Sequence, residues 1–184
     1  MARKNGKRLV IDANIAHSAG AGEVPASRYS RASLETVLDG DYIAVLNPTL
    51  REELKNHCSK SFQIWWRSMA AQKRIEDKEG KEFAHHLDKA CACLDQDTWK
   101  DALRKDSHLV QSALASDHTI ISNEKNLPRF VTIACSRVQL LSTLHYANPA
   151  VEGNACILWI KAGAEKDADR RIDVWAENHQ IIGE

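Results

Sequence analysis

Two short runs of apolar residues constrain this chain most. Arg8-Leu-Val-Ile-Asp12 and Tyr42-Ile-Ala-Val-Leu46 have strand length, carry β-branched residues, and show no polar alternation. A strand that is apolar on both sides must be covered on both faces, which is the habit of parallel sheets. The segments around these runs read mostly as helices. Residues 17–28, with Gly20, Gly22 and Pro25, read as a loop, and Ser30 to Leu38 as a helix stopped at Gly40. Asn47-Pro48 is an N-cap and N1 pair for a helix beginning PTLREELKN. Thr49 with Glu52 is an alternative capping box that starts the same helix.

Residues 60–104 read as three helical segments without strand signals. The first puts Phe62, Trp65, Trp66 and Met69 on one stripe. The second spaces Phe83, Leu87, Ala90 or Cys91, and Leu94 helically, and the third is the short DTWKDALRK. Asp106 is expected to open another helix, with Leu109, Val110, Ala113 and Leu114 on one face. Thr119–Ser122 and Val131–Ala134 read as a third and a fourth strand. Asn148-Pro149 starts a helix that ends at Gly163; 165–173 is a charged turn, and WAENHQII a last short element. Strands separated by helices predict an α/β three-layer sandwich: a central parallel sheet of about four or five strands with helices on both faces. The expected division is a flexible basic N-terminus over 1–7, a main domain over 8–147, and a helical extension over 148–184 packed on that domain or making a dimer contact.

Composition narrows the function. With 184 residues, 43% apolar and 27% charged, the chain is long and apolar enough for one folded domain. Lys plus Arg balances Asp plus Glu at 25 each, so bulk charge gives no argument for nucleic-acid binding. Local basic clusters remain: Arg3, Lys4, Lys7 and Arg8; Arg28 and Arg31; Lys100, Arg104 and Lys105. No apolar run of about 18 residues predicts a membrane helix. The N-terminal stretch has no signal-type apolar core, so a cytoplasmic protein is expected. Cys58, Cys91, Cys93, Cys135 and Cys156 are odd in number and form no CxxC pair, which argues against a disulfide framework. His85 and His86 with Cys91 and Cys93 lack the spacing of a zinc module.

In open α/β sheets ligands bind beyond the carboxyl ends of the strands. Acids recur there: Asp12 after strand one, Glu52 and Glu53 on the helix after strand two, Asp106 before strand three, and Ser122-Asn123-Glu124 after it. Any one of these could merely cap a helix or face solvent; the set carries the weight. Gathered carboxylates repel, and a hard divalent cation such as Mg²⁺ relieves that repulsion. A site of this kind orients water for in-line attack on a phosphodiester. His17, in the loop after strand one, is placed for substrate contact, and Arg104 and Lys105 for phosphate. His108 reads as an exposed or capping residue. Adjacent Trp65 and Trp66 cannot both face the core, so one is left for a rim, an interface or base stacking.

These motifs, in this order, resemble the PIN-domain nucleases. VIDANI is similar to the family's first motif and supplies Asp12 and Asn14. NPTLREEL resembles the helix whose acid directly precedes a leucine, which is Glu53 rather than Glu52. KDSHLVQSALAS resembles the third motif, at Asp106. HTIISNEKNL is similar to the strand-three signature that usually ends in Thr-Asn-Asp and here reads Ser122-Asn123-Glu124. The resemblance spans 8–135. It implies a metal-dependent endoribonuclease with Asp12, Glu53 and Asp106 catalytic. Those three and Glu124 would hold Mg²⁺ or Mn²⁺, and Asn14, His17, Asn123, Arg104 and Lys105 would meet substrate. It further implies an RNA substrate, an antitoxin or other protein partner, a homodimer, and no membrane. Glu124 in place of Asp keeps open a PIN-like module that binds RNA or a partner without cutting. A haloacid-dehalogenase-like phosphatase would want an acid where Asn14 stands.

Overall fold

The two apolar runs become neighbouring parallel strands. β1 (Lys7–Ile11) pairs with β2 (Tyr42–Leu46) in the register Lys7↔Tyr42 to Val10↔Val45. The structure is a computed structural model that describes residues 6–56 and 58–181. Residues 1–5 of the expected N-terminal tail, Arg3 and Lys4 among them, and Ile182 lie outside the described residues.

After β1 come α1 (Ala13–Ser18) and α2 (Pro25–Asp39); after β2 come α3 (Pro48–Asn56) and α4 (Lys60–Ala71). β3 (Ile75–Asp77), α5 (Ala84–Ala92) and α6 (Asp97–Leu114) follow, then β4 (Thr119–Ile121), α7 (Asn126–Cys135) and β5 (His145–Ala147). The chain closes with α8 (Pro149–Glu152), α9 (Asn154–Lys161) and α10 (Ile172–Asn178). Among the described residues the sheet has five strands, all parallel, in the order β3-β2-β1-β4-β5. Helices flank it on both sides: α2 packs with α4, α8 and α9, while α6 packs with α5 and α7, and α7 with α10. The result is a three-layer α/β sandwich.

One core runs through it, from Leu9 and Val10 on β1 to Tyr146 on β5 and Trp159 and Trp175 beyond. Residues 149–181 therefore pack into the same core, where Tyr146 meets Trp175 edge to face at 4.8 Å. Among the described residues no helix is long and apolar enough to cross a membrane.

Several elements differ from their sequence expectation. Val131–Ala134 is not a strand but the end of α7, where Leu127, Phe130, Val131 and Ala134 repeat at helical spacing and are all buried. β3 and β5 are three residues each and carry too little pattern to be read; pairing creates them, Ala44 with Ile75 and Thr119 with His145. The expected loop over 17–28 shrinks, because Pro25 is the first residue of α2 and not a breaker. Asp106 does not open a helix: DTWKDALRK and SHLVQSAL form one continuous α6. The helix after Asn148 breaks at Gly153, whose φ of +56° favours glycine and where a Cβ would come within 3.1 Å of the Tyr29 ring.

Candidate functional site

The order β3-β2-β1-β4-β5 reverses direction between β1 and β4, so the topological switch point lies there. Asp12 and Ser122 are the first residues past those two strands. Both still hold the ladder: Asp12 N donates to the Ile121 carbonyl at 3.0 Å, and Ser122 N to the Ala147 carbonyl at 3.0 Å. This pins the two side chains against each other, and Ser122 Oγ donates to Asp12 Oδ2 at 2.5 Å.

Ser122 Oγ also accepts from Asn14 Nδ2 at 3.1 Å and from Glu124 N at 3.0 Å. Asn14 Oδ1 in turn accepts from Asn123 N at 3.0 Å, so the Asn14 amide is engaged at both ends. Asp12 Oδ1 accepts from Asn14 N at 3.3 Å, which makes Asp12 the N-cap of α1 as well. Below this knot the buried Tyr146 hydroxyl donates to the carbonyls of Ser122 and Glu124. Burial pushes that phenol well above its ordinary pKa, so it stays a donor.

A cavity of about 470 Å³ opens above the knot, lined by Asp12, Asn14, His17, Glu53, Lys105, Asp106 and Glu124. Four elements supply its acids: the end of β1, α3, α6 and the turn after β4. α3 and α6 are tied by Asn47. Its Oδ1 caps α3 at Leu50 N (2.8 Å), and its Nδ2 donates to Ser112 Oγ (2.8 Å) and the His108 carbonyl (3.2 Å) on α6. That brace sets Glu53 and Asp106 at one cavity. Neighbouring helix residues point about 100° apart, so Glu52 turns outward, 65% exposed and paired with Lys55 at 3.0 Å.

Electrostatics follow from the crowding. Asp12 is only 8% exposed, and burial raises its pKa despite the opposing Ser122 bond. Asp106 is pushed up to about 7, by burial first and then by Asp12 and Glu124, with Lys105 pulling the other way. The donor set is hard oxygen, which fits Mg²⁺ or Mn²⁺. Among the described residues no three Asp, Glu, His or Cys side chains are arranged to hold an ion directly. A cation seated here would be held by one or two carboxylates and reach the others through water, as Mg²⁺ commonly is.

Asn123 and Arg104 do not line the cavity. Asn123 Nδ2 donates to Ser30 Oγ at 2.9 Å and its Oδ1 accepts from Ala150 N at 3.2 Å, so it ties the turn to α2 and α8. Arg104 turns out to Asp101 at 2.9 Å. Glu124 lines the cavity, yet its Oε1 accepts from the Lys125 and Asn126 amides at 2.9 Å, at the start of α7.

Two residues here escaped the sequence reading. Ser122 carries the knot; the sequence marked it only as the end of the third strand and the first position of the Ser122-Asn123-Glu124 turn, with no role of its own. His108 is not exposed: its side chain is 12% accessible, and its Nε2 faces Glu53 Oε2 at 3.6 Å while Nδ1 lies 2.9 Å from the Lys105 carbonyl. No known protein family, curated protein or solved structure matches the chain.

Proposed function

We propose that this chain is a cytoplasmic, Mg²⁺- or Mn²⁺-dependent endoribonuclease of the PIN type. The observation that carries the reading is the gathering of Asp12, Glu53, Asp106 and Glu124, from four separate elements, around one cavity at the sheet's switch point. A stabilising ion pair would need only one acid and one base; this cavity holds an excess of acid at a real cost, visible in the raised pKa of Asp12 and Asp106.

Asp12 and Asp106 are the residues to hold the cation, with Glu53 and Glu124 reaching it through water. The bound ion supplies charge neutralisation at the phosphoryl oxygens and a more acidic water. Lys105 and His17, at the mouth, are placed to take the phosphodiester's charge. Asn14 acts as a brace: it holds Ser122 and the Asn123 amide, and through them the orientation of Asp12. His108 limits where Glu53 can swing. The test is cleavage of total tRNA and ribosomal RNA with Mg²⁺, with Mn²⁺ and with EDTA. Cleavage that needs the ion and is lost in Asp12→Asn supports the reading; cleavage indifferent to both refutes it.

A second reading, an RNA-binding module that does not cut, is favoured by Glu124. Its engagement with the α7 amides leaves the fourth acid less able to turn inward. RNA binding without ion-dependent cleavage would select it. The phosphatase alternative is weakened by Asn14, an amide already committed where that chemistry wants a carboxylic acid.

A further inference from the structure

Helix α3 separates the acidic cavity from a second one, of about 300 Å³, on its other side. Arg51, Leu54 and Lys55 face it from α3, and Phe62, Trp66 and Arg67 from α4. Of the adjacent tryptophans, Trp65 is 4% exposed in the core, while Trp66 is partly buried and turned to this cavity. Leu54 and Phe62 are its buried floor, and the Phe62 ring backs Trp66 at 5.8 Å with 35° between the planes.

Three cations line that cavity together with the indole, and among the described residues no carboxylate lines it. The Arg51 guanidinium is fixed by Asp77, through Nε at 3.0 Å and Nη2 at 2.7 Å. Lys55 pairs with Glu52 but keeps 70% of its side chain exposed. Arg67 is exposed and makes no ion pair with any described residue. An aromatic face flanked by cations suits a base and its phosphates: stacking accepts any base, and the cations neutralise the backbone. The volume admits one flat ring, not the row of anchors that a docked helix would need. The chain's zero net charge makes this local basic edge more telling.

We propose that this cavity is a nucleotide subsite: Trp66 stacks one base of single-stranded RNA, and Lys55, Arg67 and Arg51 hold the phosphates beside it. The choice of ligand rests on the ribonuclease reading. The same helix carries Glu53 on its other side, so the strand being cut has only the width of α3, about 10 Å, to cross.

The experiment measures binding apart from cleavage. The 184-residue Asp12→Asn chain in EDTA is titrated against a fluorescein-labelled octamer of uridylate, followed by anisotropy between about 50 and 300 mM salt. Trp66→Ala in that background should weaken binding about tenfold and leave the salt slope nearly unchanged. Arg67→Glu should weaken binding and lower the slope by about one or more. Arg137→Glu, exposed beyond α7, should change neither. Trp66→Ala removes a half-buried ring, so its fold is checked by circular dichroism. If it is unfolded, the exposed Arg67 decides alone. The subsite is overturned if the octamer does not bind, if the Trp66 and Arg67 variants bind like the background, or if Arg137→Glu weakens binding as much as Arg67→Glu. Should these results hold while the parent protein cuts nothing with Mg²⁺, the subsite stands and the nuclease reading falls.

Discussion

Ser122 Oγ donates to Asp12 Oδ2 at 2.5 Å across the seam between β1 and β4. One hydroxyl thereby orients the most buried acid of the cavity, and it accepts from Asn14 and the Glu124 amide at the same time. Ser122→Ala strands all three partners. It should cost about 1–3 kcal/mol of stability, read by chemical denaturation. It should also raise the Mg²⁺ concentration needed for half-maximal cleavage, since Asp12 would no longer be held in one orientation. A variant as stable as the parent would mean that the bond carries little.

Asp12→Asn and Asp106→Asn should each lower RNA cleavage by at least about 100-fold with the fold retained. Each also removes a carboxylate from a crowded, partly desolvated cavity. In EDTA both variants should melt at a higher temperature than the parent, and that advantage should shrink as Mg²⁺ is added, because the ion stabilises the parent by binding its native state. Calorimetry with and without Mg²⁺ reads both effects.

The raised pKa of Asp106 gives a pH dependence with a definite sign. In the unfolded chain an aspartate titrates near pH 4; in the folded protein Asp106 titrates at about 7. Between these values the folded state binds more protons than the unfolded one. Stability of the cation-free protein therefore falls as pH rises through that window. Asp12, raised by burial, acts in the same direction. Melting temperatures in EDTA from pH 4.5 to 8 should fall more steeply for the parent than for Asp106→Asn. Parallel curves would show that Asp106 is not the group responsible.

Glu53 and Glu52 are neighbours with different fates. Glu53 lines the acidic cavity and faces His108, whereas Glu52 lies outward beside Lys55. Glu53→Gln should reduce cleavage by about tenfold or more, and Glu52→Gln should stay within about twofold of the parent. The opposite ranking in initial-rate measurements would mean that α3 presents its other face to substrate.

Glu124 offers a graded case. Its Oε1 is taken by the amides at the start of α7. Glu124→Gln keeps an acceptor for those amides and loses only charge at the cavity, so cleavage should fall less than tenfold and stability should hardly change. Loss as deep as that of Asp12→Asn would make Glu124 a direct ligand.

Much of this protein is written locally. The apolar runs at 8–12 and 42–46 can be buried only in a sheet covered on both faces, and they are. Asn47-Pro48 signalled the start of α3, and there the Asn47 side chain caps Leu50. Acids at the predicted strand ends and helix starts marked Asp12, the Glu52/Glu53 pair, Asp106 and Glu124 as candidates, the family resemblance chose Glu53, and the fold lines one cavity with Asp12, Glu53, Asp106 and Glu124.

What the tertiary structure alone decided lies in pairings between distant segments. β3 and β5 are strands because β2 and β4 offer them free edges; three residues such as Ile-Glu-Asp hold no period of their own. Val131–Ala134 looked like a strand by composition, and only the helical spacing of its buried side chains shows the face that α7 packs inward. Asp106 reaches the cavity from within α6, and Asn123 turns away to α2 and α8, because Asn47 braces α6 and Ser30 takes the Asn123 amide. Local sequence sets periodicity, caps and burial pattern. The position of β1 between β2 and β4, which makes Asp12 and Ser122 neighbours although 110 residues separate them, comes from how the strands pair across the whole sheet.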